Sequence, residues 1–123
     1  MTSSRRFKEE IQPMDGASEV LFALKPVTFR YKKDIDPQGI PQLGLVAEDV
    51  EKVKSDLVVR DKEGKPYSVR YDQVNAMLLN EFLKEHQKVQ ELEKQVEKLT
   101  AGLQKVSDQL ELNKPAPQIV NNQ

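Results

Sequence analysis

The stretch Val89-Gln90-Glu91-Leu92-Glu93-Lys94-Gln95-Val96-Glu97-Lys98-Leu99 decides the architecture of this chain. Its apolar residues alternate three and four apart, and the alternation continues through Leu103, Val106 and Leu110. Everything between them is polar, alanine or glycine. This is the seam of a coiled coil. Working upstream, Phe82, Val89, Val96, Leu103 and Leu110 take the a positions. Leu78, Leu92, Leu99 and Val106 take d, and Glu85 also falls at d and breaks the pattern. The turn with Met77, Leu78, Leu79, Phe82 and Leu83 is apolar over more than two positions per heptad, which predicts contact with both a head and partner helices. No proline interrupts the run between Tyr67 and Asn113. The spacing predicts one helix from about Asp72 to Leu112, roughly 60 Å long. Asp72 is suited to cap it. Gly102 weakens it by about 1 kcal/mol relative to alanine, and Asn113-Lys114-Pro115 ends it. A head of about 70 residues cannot cover such a helix, so the seam requires a partner helix, most simply a second copy of the chain. Valine and leucine mixed at a and d do not distinguish two strands from three.

The composition narrows the chemistry. The chain has 123 residues, no cysteine, one histidine and a formal charge of -1. A thiolate nucleophile, a disulfide and a thiolate metal site are therefore excluded. A multi-histidine metal site is excluded too, and a Ser-His-Asp triad is improbable with His86 alone. No metal or other cofactor is expected. The balanced charge favours neither nucleic acid nor an anionic membrane, and no apolar run is long enough to span a bilayer. The expected organisation is a head over 1–74, a long helix over 75–112 and a disordered tail over 113–123.

Within the head, Pro13 to Gly16 reads as a break. Ser18 is suited to cap a short helix through Leu24, which Lys25-Pro26 terminates. Val27, Phe29 and Tyr31 alternate with polar residues as a half-buried strand. Asp34 to Pro41 reads as an exposed loop. Leu43 to Val46 predicts a short strand running into a helix through Val53. Leu57 to Arg60 and Tyr67 to Tyr71 predict a hairpin turning at Asp61 to Lys65.

Few residues offer chemistry. Ser3 precedes Lys8 by five positions, and a serine paired with a lysine can act as nucleophile and general base. The lysine must then be neutral, which burial or neighbouring positive charge such as Arg5 and Arg6 favours. On residue types alone, a solvated tail is the commoner meaning of this pattern. Glu48, Asp49 and Glu51 read as the wet face of a short helix. Lys62, Lys65 and Arg70 read as a solvated hairpin, and His86 as a residue at the rim of the seam. Asp34, Asp36 and Gln38 lack the glycine and terminal glutamate of a calcium loop.

Taken together, the blocks resemble the intramolecular chaperone auto-processing domain. That domain closes phage endosialidase tailspikes and many tail fibres and also occurs in the myelin regulatory factor. The family opens Ser-Asp-x-Arg-x-Lys with an apolar residue three later, matched here by Ser3, Arg6, Lys8 and Ile11. Leu24-Lys25-Pro26-Val27-Thr28-Phe29-Arg30-Tyr31 matches the next block, and Gly44-Leu45-Val46-Ala47-Glu48-Asp49-Val50 the one after it. Tyr71-Asp72 leads into the long helix. Ser4 stands where the family usually has Asp, and Glu48-Asp49 replaces Gln-Glu.

The resemblance implies an α+β fold: a small head of short strands and helices, then a long C-terminal helix forming a parallel homotrimeric coiled coil. The seam residues would be Leu78, Phe82, Val89, Leu92, Val96, Leu99, Leu103 and Val106. It further implies a chaperone that trimerises the upstream region of its parent polypeptide and cuts itself free between Thr2 and Ser3. Ser3 would be the nucleophile, Lys8 the base and Arg6 a support for the pair. Its partners would be two further copies of itself and that upstream region. Assembly would take place in the cytoplasm of a cell producing a phage or prophage fibre. The alternatives are a non-enzymatic trimerisation or stalk module with an inactive dyad, and an adaptor coiled coil that binds an unrelated helix.

Overall fold

In the computed structural model the described residues run from 2 to 115. The tail from Ala116 onward, expected to be disordered, lies outside them. The fold is α+β, with small antiparallel strands and one long C-terminal helix. The chain divides into two compact units, Met1–Leu83 and Lys84–Gln123.

The first unit opens with a 3-10 turn, Arg5–Phe7, and a longer 3-10 helix, Asp15–Ala23. Strand β1 (Val27–Phe29) pairs antiparallel with β2 (Gln42–Gly44), Thr28 facing Leu43. The loop between them is folded on Asp36, whose carboxylate accepts the backbone N–H groups of Gln38 at 3.2 Å and Ile40 at 2.9 Å. Such a side-chain turn explains why a loop with two prolines and a glycine holds one shape. Helix α1 (Ala47–Val53) follows, then a 3-10 turn, Ser55–Leu57. Strand β3 (Val58–Arg60) pairs antiparallel with β4 (Pro66–Val69). Asp61 Oδ1 accepts from the N–H groups of Glu63 and Lys65, and Gly64 supplies the positive φ of 82° that this turn requires. Helix α2 is continuous over Tyr71–Leu112.

Several boundaries differ from the expected ones. The first strand stops at Phe29, and Tyr31 instead meets the Phe29 ring edge-on, with centroids 5.1 Å apart. Leu57 precedes β3 and is a buried centre of the core. Tyr71 is the first residue of α2, so Asp72 lies in the helix's first turn and does not cap it. There its charge complements the helix dipole. Ser18 caps nothing. It is the fourth residue of the 3-10 helix and points inward.

The core is small: Val50, Leu57, Val58, Val69, Val74 and Met77 are buried together. Helix α1 and the β3–β4 hairpin supply three of these residues, the 3-10 turn supplies Leu57, and the start of α2 supplies the last two. Leu21, Leu24 and Leu45 pack against this cluster and bring the 3-10 helix and the first hairpin to it. Arg60 ties the second hairpin to α1 through Glu51 at 2.8 Å.

Two polar contacts fix the start of α2. Tyr71 Oη accepts the Leu45 N–H at 3.0 Å, anchoring the helix to the end of β2. This brings the ring close to Gly44, where a Cβ would lie 3.0 Å from Tyr71 Oη and 3.2 Å from Phe29 Cε1. Gly44→Ala is therefore expected to destabilise the head by about 1–3 kcal/mol, read as a lower midpoint in urea.

Nearly three turns further along α2, Glu81 is 5% exposed and meets Ser18 of the 3-10 helix, which is 0% exposed. Ser18 Oγ donates to Glu81 Oε1 at 2.6 Å and accepts from Asn80 Nδ2 at 2.7 Å. Asn80 also donates to the Asp15 carbonyl at 3.0 Å. A buried carboxylate is tolerated only when its oxygens have such partners. Ser18→Ala removes one and is expected to cost about 1–3 kcal/mol. Ser18→Thr, which retains the hydroxyl, should recover part of that loss in the same denaturation assay.

Candidate functional site

The segment that precedes the head folds on itself. The Phe7 N–H donates to the Ser4 carbonyl at 3.0 Å and the Lys8 N–H to the Arg5 carbonyl at 3.1 Å. These bonds close the 3-10 turn Arg5–Phe7, while Ser4 and Lys8 on either side are extended. The turn brings residues five apart in sequence alongside each other. Lys8 Nζ donates to Ser3 Oγ at 2.9 Å. Arg6 is directed elsewhere, its guanidinium carbon 4.6 Å from the centre of the Phe7 ring. The contact is a cation–π pair with its sequence neighbour. Thr2, Ser3 and Lys8 are exposed, as is the whole stretch from residue 2 to residue 13. The Ser4 side chain makes no capping hydrogen bond to the turn.

A hydroxyl within hydrogen-bond reach of an amine is the geometry required of a nucleophile and its base. In this contact Lys8 Nζ is the donor and Ser3 Oγ the acceptor. Base catalysis requires the reverse, a neutral amine accepting the hydroxyl proton, and removal from water favours that state of an amine.

The second candidate region is the seam. On the first unit Leu78 and Phe82 are exposed, although Val74, Met77 and Glu81 of the same turns are buried. The broad apolar stripe thus divides in two, one flank covered by the head and one uncovered. In the second unit Val89, Leu92, Val96, Leu99, Leu103, Val106 and Leu110 are each about half or more exposed. They form an apolar line along a helix that is otherwise mostly polar and charged. His86 is exposed beside this line.

Glu51 is engaged by Arg60, and Lys65 pairs with Glu63 at 3.3 Å on the open hairpin. Among the described residues no three histidine or carboxylate side chains cluster as a metal site. Among the same residues no helix is long and apolar enough to cross a membrane.

The buried Ser18–Glu81–Asn80 network and the Tyr71 anchor were not foreseen from the sequence. Their partners are 63, 62 and 26 residues apart, and no local spacing marks them. The one available hint was a glutamate inside an apolar turn, between Leu79 and Phe82.

No curated protein matches the chain. A family model, Peptidase_S74, described as chaperone of endosialidase, matches residues 3–59. The matched segment begins at Ser3, contains Lys8 and Arg6, and extends through both strands of the first hairpin and α1 into β3. The serine, the lysine, the first hairpin and α1 lie inside that match and β4 and α2 beyond it, so over residues 3–59 the chain is similar to the chaperone of endosialidase family, which supports an intramolecular chaperone domain here.

Proposed function

We propose that this chain is a C-terminal intramolecular chaperone that trimerises its parent polypeptide and then releases itself by cutting the Thr2–Ser3 bond. The match of residues 3–59 to the chaperone of endosialidase family supports the intramolecular chaperone role. The observation that carries the cutting step is the 2.9 Å approach of Lys8 Nζ to Ser3 Oγ at the first residue of the family match. In the proposed reaction the neutral Lys8 amine takes the Ser3 hydroxyl proton. Ser3 Oγ attacks the Thr2 carbonyl carbon, and the Ser3 nitrogen leaves with the proton returned by Lys8. This gives an ester between Thr2 and Ser3 Oγ, which water hydrolyses to free the two chains.

The uncovered seam carries the assembly step. Apolar side chains along a polar helix gain stability only by leaving water against a partner, and three copies of the same seam are the proposed assembly. Holding three parent chains at one end raises their effective concentration for the slow non-local pairing of a fibrous fold. Releasing the clamp afterwards leaves a product that cannot retrace its folding path, a kinetic form of stability. On this reading the functional parts are a head with its cleavage segment over 1–74 and a clamp over 75–112.

A second reading, a trimerisation module with an inactive dyad, is favoured by one feature: Ser4 occupies the position of the family's acid and makes no bond to the turn. Two measurements on a chain extended upstream of Thr2 separate the readings. Splitting before Ser3 in the mass spectrum, with three chains by light scattering, is expected. Three chains without splitting would select the second reading, and a monomer would remove both.

A further inference from the structure

Helix α2 carries two leucines that the seam does not use. With Leu78 at d and Phe82 at a, Leu79 falls at e and Leu83 at b. The e positions that follow are His86, Glu93, Thr100 and Ser107, and the b positions are Gln90, Glu97, Gln104 and Glu111. Only the first heptad, level with the head, is apolar on this flank. Leu79 and Leu83 are nevertheless 58% and 50% exposed, so the chain's own head does not cover them. The head covers the opposite flank, where Val74 and Glu81 at g are buried.

Beside that covered flank lies an open groove of about 800 Å³. Its walls include Leu21, Phe22, Leu43 and Leu45 from the head and Val74 and Leu78 from the helix. Leu43 is 83% exposed within it. The groove thus follows the g and d side of the helix, while the two spare leucines lie toward e. In a parallel, in-register coiled coil the g flank of each helix faces the e flank of the next. The charges agree with that arrangement. Lys88 at g and Glu93 at e stand five residues apart, the offset at which g and e side chains of parallel neighbours meet. Within one chain Lys88 pairs with the exposed Glu85 at 3.4 Å.

We propose that each groove receives Leu79 and Leu83 of a neighbouring copy of this chain. The head of one protomer would then close over the helix of the next, so that each copy both gives and receives, a head-to-tail contact that closes into a ring. The inference rests on the proposed parallel self-association of the seam and adds to it a specific second interface that joins heads to neighbouring helices.

The absence of natural cysteine makes the test direct. Chains bearing Leu43→Cys and chains bearing Leu79→Cys are co-expressed and treated with a short bismaleimide. A chain bearing Leu103→Cys reports separately on the seam. A 43–79 link between chains, located by peptide mass mapping, is the expected result. Leu103 links in a multi-chain species without any 43–79 link would overturn the groove proposal and leave the assembly reading intact. A monomer without Leu103 links would overturn both. Independently, the double variant Leu79→Glu, Leu83→Gln gives the first heptad the chemistry of those below it. The concentration midpoint of assembly should rise about tenfold or more with helix content unchanged, and an unmoved midpoint would count against the groove.

Discussion

Ser3→Ala, introduced into a chain that carries upstream polypeptide, leaves the Thr2–Ser3 bond uncut, and mass spectrometry returns one full-length species. The expected loss is at least about 10⁴-fold, because a nucleophile acting as part of a unit cannot be replaced by its neighbours. Lys8→Met should be nearly as severe, since the methionine keeps the length of the side chain and removes the base. Arg6→Ala should be much milder. Arg6 lies over Phe7, so its loss loosens the turn and leaves both reacting groups in place. Ser4→Asp acts in the opposite direction. If the acid of the family pattern assists cutting, restoring it speeds the reaction, and under the inactive-dyad reading it is the single change that would start it. Equal cleavage by the parent and Lys8→Met chains would remove Lys8 from the mechanism.

Leu99→Asp is expected to abolish assembly. In the proposed trimer three carboxylates would meet in one layer of the seam, each costing several kcal/mol to remove from water without a partner. Light scattering should then give a single chain at every accessible concentration. Far-UV circular dichroism should lose most of the signal from the helix beyond Leu83, because an isolated helix of this kind is marginal in water. The head has its own core at Val50, Leu57 and Val69 and should keep the near-UV signal of its tyrosines. The same change at Leu110, close to the end of the helix, should be weaker, since terminal turns fray. An unchanged mass for Leu99→Asp would exclude the seam as the site of self-association.

The long helix was legible in the sequence because its period repeats over many turns and no proline breaks it. Both hairpins were legible from turn residues and alternation, although the strands are shorter than the alternation suggests. Tyr31 and Tyr71 alternate correctly but leave the sheets, one for the Phe29 ring and the other for α2. Ser18 shows the limit of local reading. A serine ahead of an apolar run is a good cap by every local rule, yet here its hydroxyl is held by Glu81, 63 residues away. Nothing short of the tertiary fold could reveal that preference. The Ser3–Lys8 spacing was visible as a spacing. That a 3-10 turn folds the two side chains together depends on backbone bonds at Ser4 and Arg5 that no residue type specifies.

The Tyr71 hydroxyl gives the molecule a form of thermodynamic linkage. Tyr71 is the first residue of α2 and grips the backbone at Leu45, and Val74 and Met77 follow it into the core. The head therefore cannot keep its native packing while the opening turns of the helix are frayed. Anything that winds the helix more firmly from its far end also stabilises the head, by mass action and without touching it. The folded population of the head would then rise with the concentration of chains, so that a head far from its fellows is looser than one whose helix has already found them.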